Sequence, residues 1–346
     1  MTLSEPGRTR RRVLIVGRGG SHRIEAAIAR GVRELGHTVR LLDVPRWQQR
    51  LGGPAGRLIR WRADSFAPDS VLLTRHAAAL DQPTLDALVR GRRSAFWSFD
   101  LVSKPHERII RLARAVDRMF VTCPSQVELY QSAGIHAVHF LPLAADPALD
   151  RPARWSSRRY RCEVSFVGSG EYSFRHQLLR SVAARFALQI RGPGWEDADG
   201  DLPVAGGAVR GRQLARVVRG AAISLGAHAF RAQSTEQACP SNHMWKILAC
   251  GGFYLGPWME GIDSLAHGGE HCVWYDPAEE AVDLIHYYLH RPEIRSAIAH
   301  AGRRHVLEHH TYADRLALLL EGRGFSLDDT VPEADADGRA PMDQTA

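Results

Sequence analysis

The sequence predicts an α/β protein with two doubly wound parallel sheets, one after the other along the chain. Short apolar runs typical of buried strands alternate with stretches of helical periodicity. This alternation is lost once, near residue 148, and then starts again, which indicates two domains. The length agrees, because 346 residues correspond to two domains of ~150 residues each. A hydrophobic fraction of 45% and a charged fraction of 24% exclude a disordered or fibrous protein.

The first half begins with a strand, a glycine-rich turn, a helix and a second strand. The apolar run at 13–16 is typical of a strand buried on both faces. Apolar residues then repeat at helical spacing from Ile24 to Leu35, and the helix is predicted to stop at Gly36. Further strands are predicted at 38–42, 70–74, 95–99, 118–122 and 137–141.

The domain boundary is predicted between Pro142 and Trp155, where three prolines occur without apolar periodicity. We therefore divide the chain into a first domain, 1–148, a second domain, 149–325, and an acidic tail, 326–346, which is expected to be disordered. The second domain starts with a strand at 163–167 and a helix from about Phe174. Its remaining strands are predicted at 186–191, 221–225, 252–256 and 271–275, and its last helices at 277–290, 292–308 and 311–321.

The charge of the chain is uneven. The net charge is +7, and only Lys104 and Lys246 among the 45 basic residues are lysine. Residues 1–150 contain 23 Lys and Arg against 14 Asp and Glu. The arginines are scattered, with no aromatic-interleaved basic stripe, so the pattern favours an anionic small molecule or an acceptor at an anionic membrane surface over a nucleic acid.

The chain shows no signal for membrane insertion or secretion. No apolar run approaches the ~18–20 residues of a membrane span, and the apolar run at 13–16 is shorter than the ~7–15 residues of a secretory signal. The five cysteines form no C-x-x-C pair. We therefore expect reduced thiols and a cytoplasmic location.

The glycine loop after the first strand is the first candidate site. Gly17, Gly19 and Gly20 precede a helix N-terminus, where backbone N–H groups favour an anion. A dinucleotide site would need a third glycine at the position of His22, although Asp43 stands where a ribose-binding acid would lie. A tight turn without a ligand explains the glycines equally well.

A carboxylate, Asp100, follows the predicted strand at 95–99. Open parallel sheets place their chemistry at the carboxyl ends of strands. Asp100 is therefore a candidate general base, or a group that orients a hydroxyl nucleophile. A helix N-cap or a turn is the alternative.

The segment 240–252 contains the clearest helix signals of the second domain. Ser241 or Asn242 is predicted to cap a helix of about eight residues, which Gly251 and Gly252 end.

Two basic residues of this helix, His243 and Lys246, are three apart and share one face near its start. A cation beside a helix N-terminus suits a diphosphate. Two solvated polar residues on an amphipathic helix would give the same spacing.

The sequence predicts no metal site, although it contains 17 histidines. His305 and His309 are four apart on a predicted helix, but no third ligand follows at metal-site spacing.

Short motifs between residues 163 and 320 occur in a characteristic order. They are 164–170 with Arg175, 190–192 with Trp195, 223–225, 246–253, 268–271 with 274–275, 287–289, 295–302, and 310–312 with Arg315. In this order they resemble the C-terminal domain of the group 1 glycosyltransferases of the CgeB type, a spore-maturation family. The first domain resembles the family more loosely, at the Gly17 loop, 97–100, 121–123 and 141–142.

The resemblance implies the GT-B fold, in which two Rossmann-like domains face each other across a cleft. It implies that a nucleotide-sugar donor binds mainly to the second domain and that the acceptor hydroxyl binds mainly to the first. No metal or other cofactor is implied. In the family the final helix often packs back on the first domain. The basic first domain permits an anionic glycan, a lipid-linked molecule or a natural-product scaffold as the acceptor, and the sequence does not choose among them.

The resemblance also assigns roles to residues. His22 and Asp100 would act at the reacting centre, with Gly17, Gly19 and Gly20 on the acceptor side. Arg175, His243 and Lys246 would neutralise the diphosphate, and 192–195 would approach the nucleobase. The complete donor set is Gly168, Gly170, Arg175, Gly192, Trp195, Ser241, Asn242, His243, Lys246, Gly251 and Gly252.

The chain departs from the family in one motif. Lys246 stands where many members have the second of two glutamates, Ala238 lies eight residues earlier, and His243 replaces an arginine. Three other functions therefore stay open: a nucleotide-sugar epimerase or phosphorylase, an NAD-dependent oxidoreductase that uses Gly17, Gly19 and Asp43, and a binding module without catalysis.

Overall fold

The computed structural model describes residues 9–196, 200–228 and 239–327. The chain forms two compact units. Unit 1 comprises Met1–Pro142 and Tyr312–Phe325, and unit 2 comprises Leu143–Thr311 and Ser326–Ala346. The tail that the sequence predicts to be disordered lies, from residue 328 onward, outside the described part of the chain.

Unit 1 contains, over its described residues, a parallel sheet of six strands. The strands are β1 (Arg12–Gly17), β2 (Thr38–Asp43), β3 (Ser70–Leu73), β4 (Arg93–Ser98), β5 (Arg118–Val121) and β6 (Val138–Phe140). The helices that connect them are α1 (Ile24–Glu34), α2 (Val44–Leu51), α3 (Ala55–Phe66), α4 (Gln82–Val89), α5 (Glu107–Arg114) and α6 (Ser125–Ser132). The strand order is β2-β1-β3-β4-β5-β6. The order reverses between β1 and β3, and ligands of open α/β sheets bind beside the strand ends at such a switch point.

Unit 2 repeats this architecture, again with six parallel strands among its described residues. The strands are β7 (Cys162–Val167), β8 (Leu188–Arg191), β9 (Val204–Gly206), β10 (Ala221–Leu225), β11 (Tyr254–Pro257) and β12 (Val273–Tyr275). Its helices are α7 (Phe174–Ala183), α8 (Arg212–Gly220), α9 (Asn242–Ala249), α10 (Glu280–Leu289) and α11 (Pro292–His309), and the last helix of the chain, α12 (Tyr312–Glu321), belongs to unit 1. The strand order is β12-β11-β10-β7-β8-β9, so the switch point lies between β7 and β10.

The central strand of unit 1 shows why its sequence is continuously apolar. β1 pairs with β2 on one side and with β3 on the other. Helices cover both faces of a parallel sheet, so successive side chains of a central strand are all buried. The four residues at 13–16 are accordingly all buried, as predicted.

Helix α12 belongs to unit 1, although it follows unit 2 in the sequence. It packs on α1 at Gly31, where an added Cβ would lie 2.9 Å from the backbone of Tyr312. The buried Arg315 donates from Nε to the carbonyl oxygen of Pro142 at 3.1 Å. A glycine in the middle of α1 therefore allows the two helices to approach closely.

The prediction of two parallel α/β sheets is confirmed, with one strand missed. β9 has only three residues, and Val204 is exposed, so it shows no apolar run. None of the helices in the described ranges is long and apolar enough to cross a bilayer. All five cysteines are free thiols.

Candidate functional site

Two glycine loops meet beside the carboxyl end of β7 in unit 2. An added Cβ on Gly192 would overlap the carbonyl oxygen of Gly168, and one on Gly170 would overlap that of Gly194. The two backbones therefore touch at positions where only glycine fits. The structure thus brings together three of the predicted donor residues, Gly168, Gly170 and Gly192.

Trp195 supports these loops from inside. Its side chain is only 5% exposed, and its indole N–H donates to the carbonyl oxygen of Gly168 at 3.0 Å. The ring of His176 stacks on it with centroids 5.3 Å apart, and Nε2 of His176 lies 2.9 Å from the carbonyl oxygen of Gly170. Trp195 is therefore a buried support of the loop, and the approach of 192–195 to a nucleobase stays a prediction.

Arg175, in the first turn of α7, places a buried cation next to this loop. Its side chain is 8% exposed, and burial lowers the pKa of its guanidinium. Nε donates to the carbonyl oxygen of His228 at 2.6 Å, and a terminal nitrogen donates to that of Ser169 at 3.0 Å. No carboxylate among the residues that the structure describes pairs with it. A buried cation without a counter-ion is costly, so this position favours an anionic ligand.

Helix α9 begins as the sequence predicts. Of the two candidate caps, Ser241 is the one used, and its Oγ accepts from the backbone N–H of Met244 at 3.2 Å. The Oδ1 atom of Asn242, the first helical residue, is buried and accepts no hydrogen bond within the described residues. The first N–H groups of a helix have no acceptor within the helix and attract an anion.

His243 and Lys246 lie three residues apart on α9, and the charges of Lys246 and Arg175 both act on His243. Burial, together with the positive charges of Lys246 and Arg175, lowers the pKa of His243 to about 4. His243 is therefore neutral near pH 7 and acts as a hydrogen-bonding group. We call Arg175, His243 and Lys246 the basic cluster.

The predicted glycines Gly251 and Gly252 follow the C-terminal end of α9. Eight residues at ~1.5 Å each make the helix about 12 Å long. Gly251 takes a left-handed φ of 75°, and an added Cβ on Gly252 would overlap Val218. Both residues end the helix, and their part in donor binding stays a prediction.

Two tyrosines under the basic cluster were missed by the sequence analysis. The hydroxyl of Tyr275 donates to the carbonyl oxygen of Gly226 at 3.0 Å, and Gly226 is packed against the ring of Tyr254. Burial raises the pKa of both phenols. They form a neutral, largely apolar floor, and a low local dielectric strengthens the field of Arg175.

In unit 1, a second polar group lies at the switch point between β1 and β3. Glu25, in the first turn of α1, is only 4% exposed. Its Oε1 accepts from the backbone N–H of Arg18 at 3.2 Å and from the hydroxyl of Thr74 at 3.0 Å. Nε2 of His76 lies 4.0 Å from the same oxygen. We call Glu25, Thr74 and His76 the Glu25 network.

The sequence contained only a partial signal for this network. Glu25 occupies the apolar face of α1, and Thr74 and His76 follow a strand end, but nothing linked the three. Burial lowers the pKa of His76, while the Glu25 carboxylate partly opposes that shift. His76 is therefore a neutral imidazole at pH 7, suited to accept a proton.

The predicted catalytic residues His22 and Asp100 lie in unit 1. Asp100 follows β4 and accepts from the guanidinium of Arg75 at 2.8 Å, in a partly exposed ion pair. His22 is exposed in the glycine loop. Gly17 and Gly19 leave no room for a side chain. An added Cβ on Gly17 would lie 2.5 Å from Thr74 Oγ1, and one on Gly19 would lie 2.5 Å from the Asp43 carboxylate.

Asp43 is engaged in a structural role. Its Oδ1 accepts from the backbone N–H of Arg46 at 3.2 Å and caps α2. A carboxylate that is held by a helix N-terminus and packed against Gly19 is not available to a ribose. The geometry therefore argues against the dinucleotide interpretation of the first glycine loop.

The histidines of α11 form a packed group. The ring of His305 stacks on that of His271 with centroids 4.0 Å apart, and its Nε2 lies 2.9 Å from the carbonyl oxygen of Leu265 and 3.1 Å from Nε2 of His310. Within the described ranges, no three His, Cys, Asp or Glu side chains are arranged to hold a metal ion.

Comparisons with known proteins add the family context. Residues 175–321 match the family model described as glycosyl transferase-like. No curated protein matches the sequence.

Several solved structures share the fold along most of their length. Sucrose-phosphate synthase from Thermosynechococcus elongatus is 11% identical, with 90% of this chain and 98% of that chain covered at a TM-score of 0.62. A glycosyltransferase from Rickettsia africae is 11% identical, with 91% and 98% covered at 0.61. Anabaena HepE, in complex with UDP and glucose, is 11% identical, with 90% and 99% covered at 0.61.

At such low identity these structures establish the fold alone, and the family match concerns residues 175–321. The predicted fold class is confirmed. The chain therefore has the GT-B fold, and its residues 175–321 match the glycosyl transferase-like family model.

Proposed function

We propose that the protein transfers a glycosyl group from a nucleoside diphosphate sugar to an acceptor hydroxyl, without a metal ion, as a glycosyltransferase of the CgeB type. The observation that supports this most directly is Arg175, a buried cation without a described counter-ion. It lies with His243 and Lys246 at the switch point of a GT-B unit.

The donor diphosphate binds to the basic cluster in this proposal. Arg175 and Lys246 supply two positive charges, and the first N–H groups of α9 supply further donors. Negative charge on the diphosphate grows as the bond from its oxygen to the anomeric carbon breaks. Fixed cations stabilise that charge more in the transition state than in the ground state, which accelerates transfer.

A hydroxyl of the donor binds to Asn242. The buried Oδ1 of this side chain lacks a hydrogen-bond donor among the described residues, and a ribose or sugar hydroxyl would supply one. A uridine nucleotide is the first donor to test, because the structurally similar HepE was solved with UDP.

The acceptor binds to unit 1. Its hydroxyl oxygen forms the new bond to the anomeric carbon, and its proton passes to the neutral imidazole of His76, which Glu25 orients. Asp100 is tied to Arg75, so its part is to orient the acceptor, and His22 contacts the acceptor or the sugar. These roles keep the sequence-based assignments and add the Glu25 network to them.

Calorimetric titration of the purified protein with UDP, GDP, ADP and dTDP and their sugars tests the proposal. We expect one nucleotide series to bind, and Arg175→Ala to abolish that binding. Arg180→Ala is the matched control, because Arg180 lies on the same helix and makes a partly exposed ion pair with Asp201. Absence of binding by every nucleotide would refute the proposal.

The alternative functions predict different products. Conversion of a nucleotide sugar without any acceptor would indicate an epimerase, and a requirement for free phosphate would indicate a phosphorylase. The comparisons favour neither these nor an oxidoreductase or a binding module.

A further inference from the structure

Helices α2 and α3 of unit 1 form a strongly basic helical hairpin. Between residues 44 and 63 the chain contains five arginines and no acidic residue. They are Arg46, Arg50, Arg57, Arg60 and Arg62. We call residues 44–66 the α2–α3 hairpin.

The core of unit 1 fixes which side of α3 faces solvent. Ile59, Ala63 and Phe66 are buried at helical spacing. Trp61 lies two positions from Ile59, which places it ~200° around the helix, on the opposite face. Its indole is accordingly 61% exposed. The fold thus leaves this large apolar side chain in contact with solvent. Such exposure marks a surface for interaction.

Aromatic and cationic groups alternate on this surface. The guanidinium of Arg62 lies 5.7 Å from the ring centroid of Trp47 and 5.7 Å from that of Trp61. At the turn between the helices, Leu51 is 39% exposed and is followed by Gly52 and Gly53. The sequence analysis expected scattered arginines without an aromatic-interleaved stripe, and the fold assembles one here.

Most of the positive charge of the hairpin is not neutralised. Within the described residues, the side chains of Arg46, Arg50 and Arg57 make no hydrogen bond or ion pair, whereas Arg60 lies near Asp81. The next acid along the chain, Asp64, is paired with Arg92 at 2.9 Å. The hairpin therefore presents free cations beside exposed apolar groups.

We infer that the α2–α3 hairpin docks this protein on an anionic lipid surface. Trp61 and Leu51 enter the interfacial region of the bilayer, and the arginines bind lipid phosphates. An exposed Trp beside arginines suits the membrane interface, because the indole has an apolar body and a polar N–H. The exposed Leu51 and Trp61 add apolar area that a bilayer interface buries, so the combination favours lipid. The inference does not depend on the proposed function.

Vesicle flotation with the full chain tests the inference. We expect the protein to float with vesicles of phosphatidylcholine and phosphatidylglycerol, and not with vesicles of phosphatidylcholine alone. High salt should weaken the binding, because it screens the arginines. Replacement of Arg46, Arg50 and Arg57 by Gln should lower the partition coefficient roughly a hundredfold, at roughly fivefold for each charge. Trp61→Ala should lower it as well.

Unit 2 offers a matched control. Trp155 is 59% exposed and lies under the guanidinium of Arg216 at 4.2 Å. Trp155→Ala, and a triple variant of the exposed Arg210, Arg212 and Arg219 to Gln, remove the same groups from another surface. We expect both control variants to bind vesicles as the wild type does.

Three results would overturn the inference. In the first, the wild type does not float with the vesicles. In the second, the hairpin variants and the control variants lose vesicle binding equally. In the third, the wild type binds a DNA duplex but no vesicles, and the hairpin variants lose the DNA binding. UDP titration and the thermal midpoint, measured on every variant, should be unchanged, because the altered side chains are exposed. A failure of the proposed function is therefore distinguishable from a failure of this inference.

Discussion

Removal of the Lys246 charge is the most direct test of the basic cluster. Lys246 is half-buried on α9, and its charge reaches His243, whose pKa it lowers. A contact between this ammonium and the donor diphosphate is charge-assisted and typically contributes ~1.5–3 kcal/mol. Part of the side chain is open to water, so screening favours the lower end of that range. Lys246→Ala should therefore reduce kcat/KM about tenfold, since ~1.4 kcal/mol corresponds to one factor of ten.

Two measurements check this expectation. Steady-state kinetics with the bound donor series gives the change in kcat/KM, and calorimetry gives the change in affinity for the bare diphosphate. In addition, the pKa of His243 should rise in Lys246→Ala, because a nearby positive charge is removed. Burial remains the larger cause, so the pKa should stay below the ordinary value of 6.5. An NMR titration of the His243 ring measures this shift.

Lys104→Ala is the control, because Lys104 is the other lysine of the chain and is exposed in unit 1. It should leave kinetics and nucleotide affinity unchanged. If Lys246→Ala also leaves both unchanged, Lys246 is an exposed helical lysine without a ligand, and the diphosphate assignment is wrong.

Three further predictions concern the packing and titration of other groups. Gly31→Ala should lower the free energy of unfolding by about 1–3 kcal/mol, because the new Cβ collides with the backbone of α12. The Cβ of Gly53→Ala meets no atom within 4 Å, so this control variant should leave the free energy of unfolding nearly unchanged. Denaturant titration measures both variants, and equal effects would contradict the contact between Gly31 and α12. Glu25→Gln should shift the acid limb of the kcat/KM profile to lower pH, because the carboxylate raises the pKa of His76; an unmoved limb would exclude His76 as the base. Stability should fall as the pH drops from 6.5 towards 4, because burial holds the pKa of His271 at about 4, below its unfolded value, so the unfolded state binds more protons. Thermal midpoints of wild type and His271→Asn across this range check the sign, and the variant should lose less stability than the wild type.

Local patterns in the sequence were sufficient for most of the fold. The apolar run at 13–16 predicted β1, and the cap and glycines around 241–252 predicted α9. β9 was missed because a three-residue edge strand buries little and leaves no apolar pattern. The sequence offered two N-cap residues for α9, Ser241 and Asn242. Only the geometry shows that Ser241 is the one used.

One part of the candidate site was predictable because its residues are close together in the sequence. His243 and Lys246 lie three apart on one helix, a spacing that the sequence displays directly. Glu25, Thr74 and His76 are brought together because β1 and β3 are neighbours in the sheet. Strand order is a long-range property that hydrophobic periodicity does not encode, so these three residues stood unconnected in the sequence.

The return of α12 to unit 1 has a consequence for the order of folding during synthesis. Unit 2, up to Thr311, is continuous in sequence and is synthesised before Tyr312. Unit 1 must wait with the α1 surface at Gly31 uncovered until Tyr312–Phe325 emerges. Pairing of segments so far apart closes a long loop and is intrinsically slow. A chain that is released after residue 311 should therefore contain a protease-resistant unit 2 and a protease-sensitive unit 1.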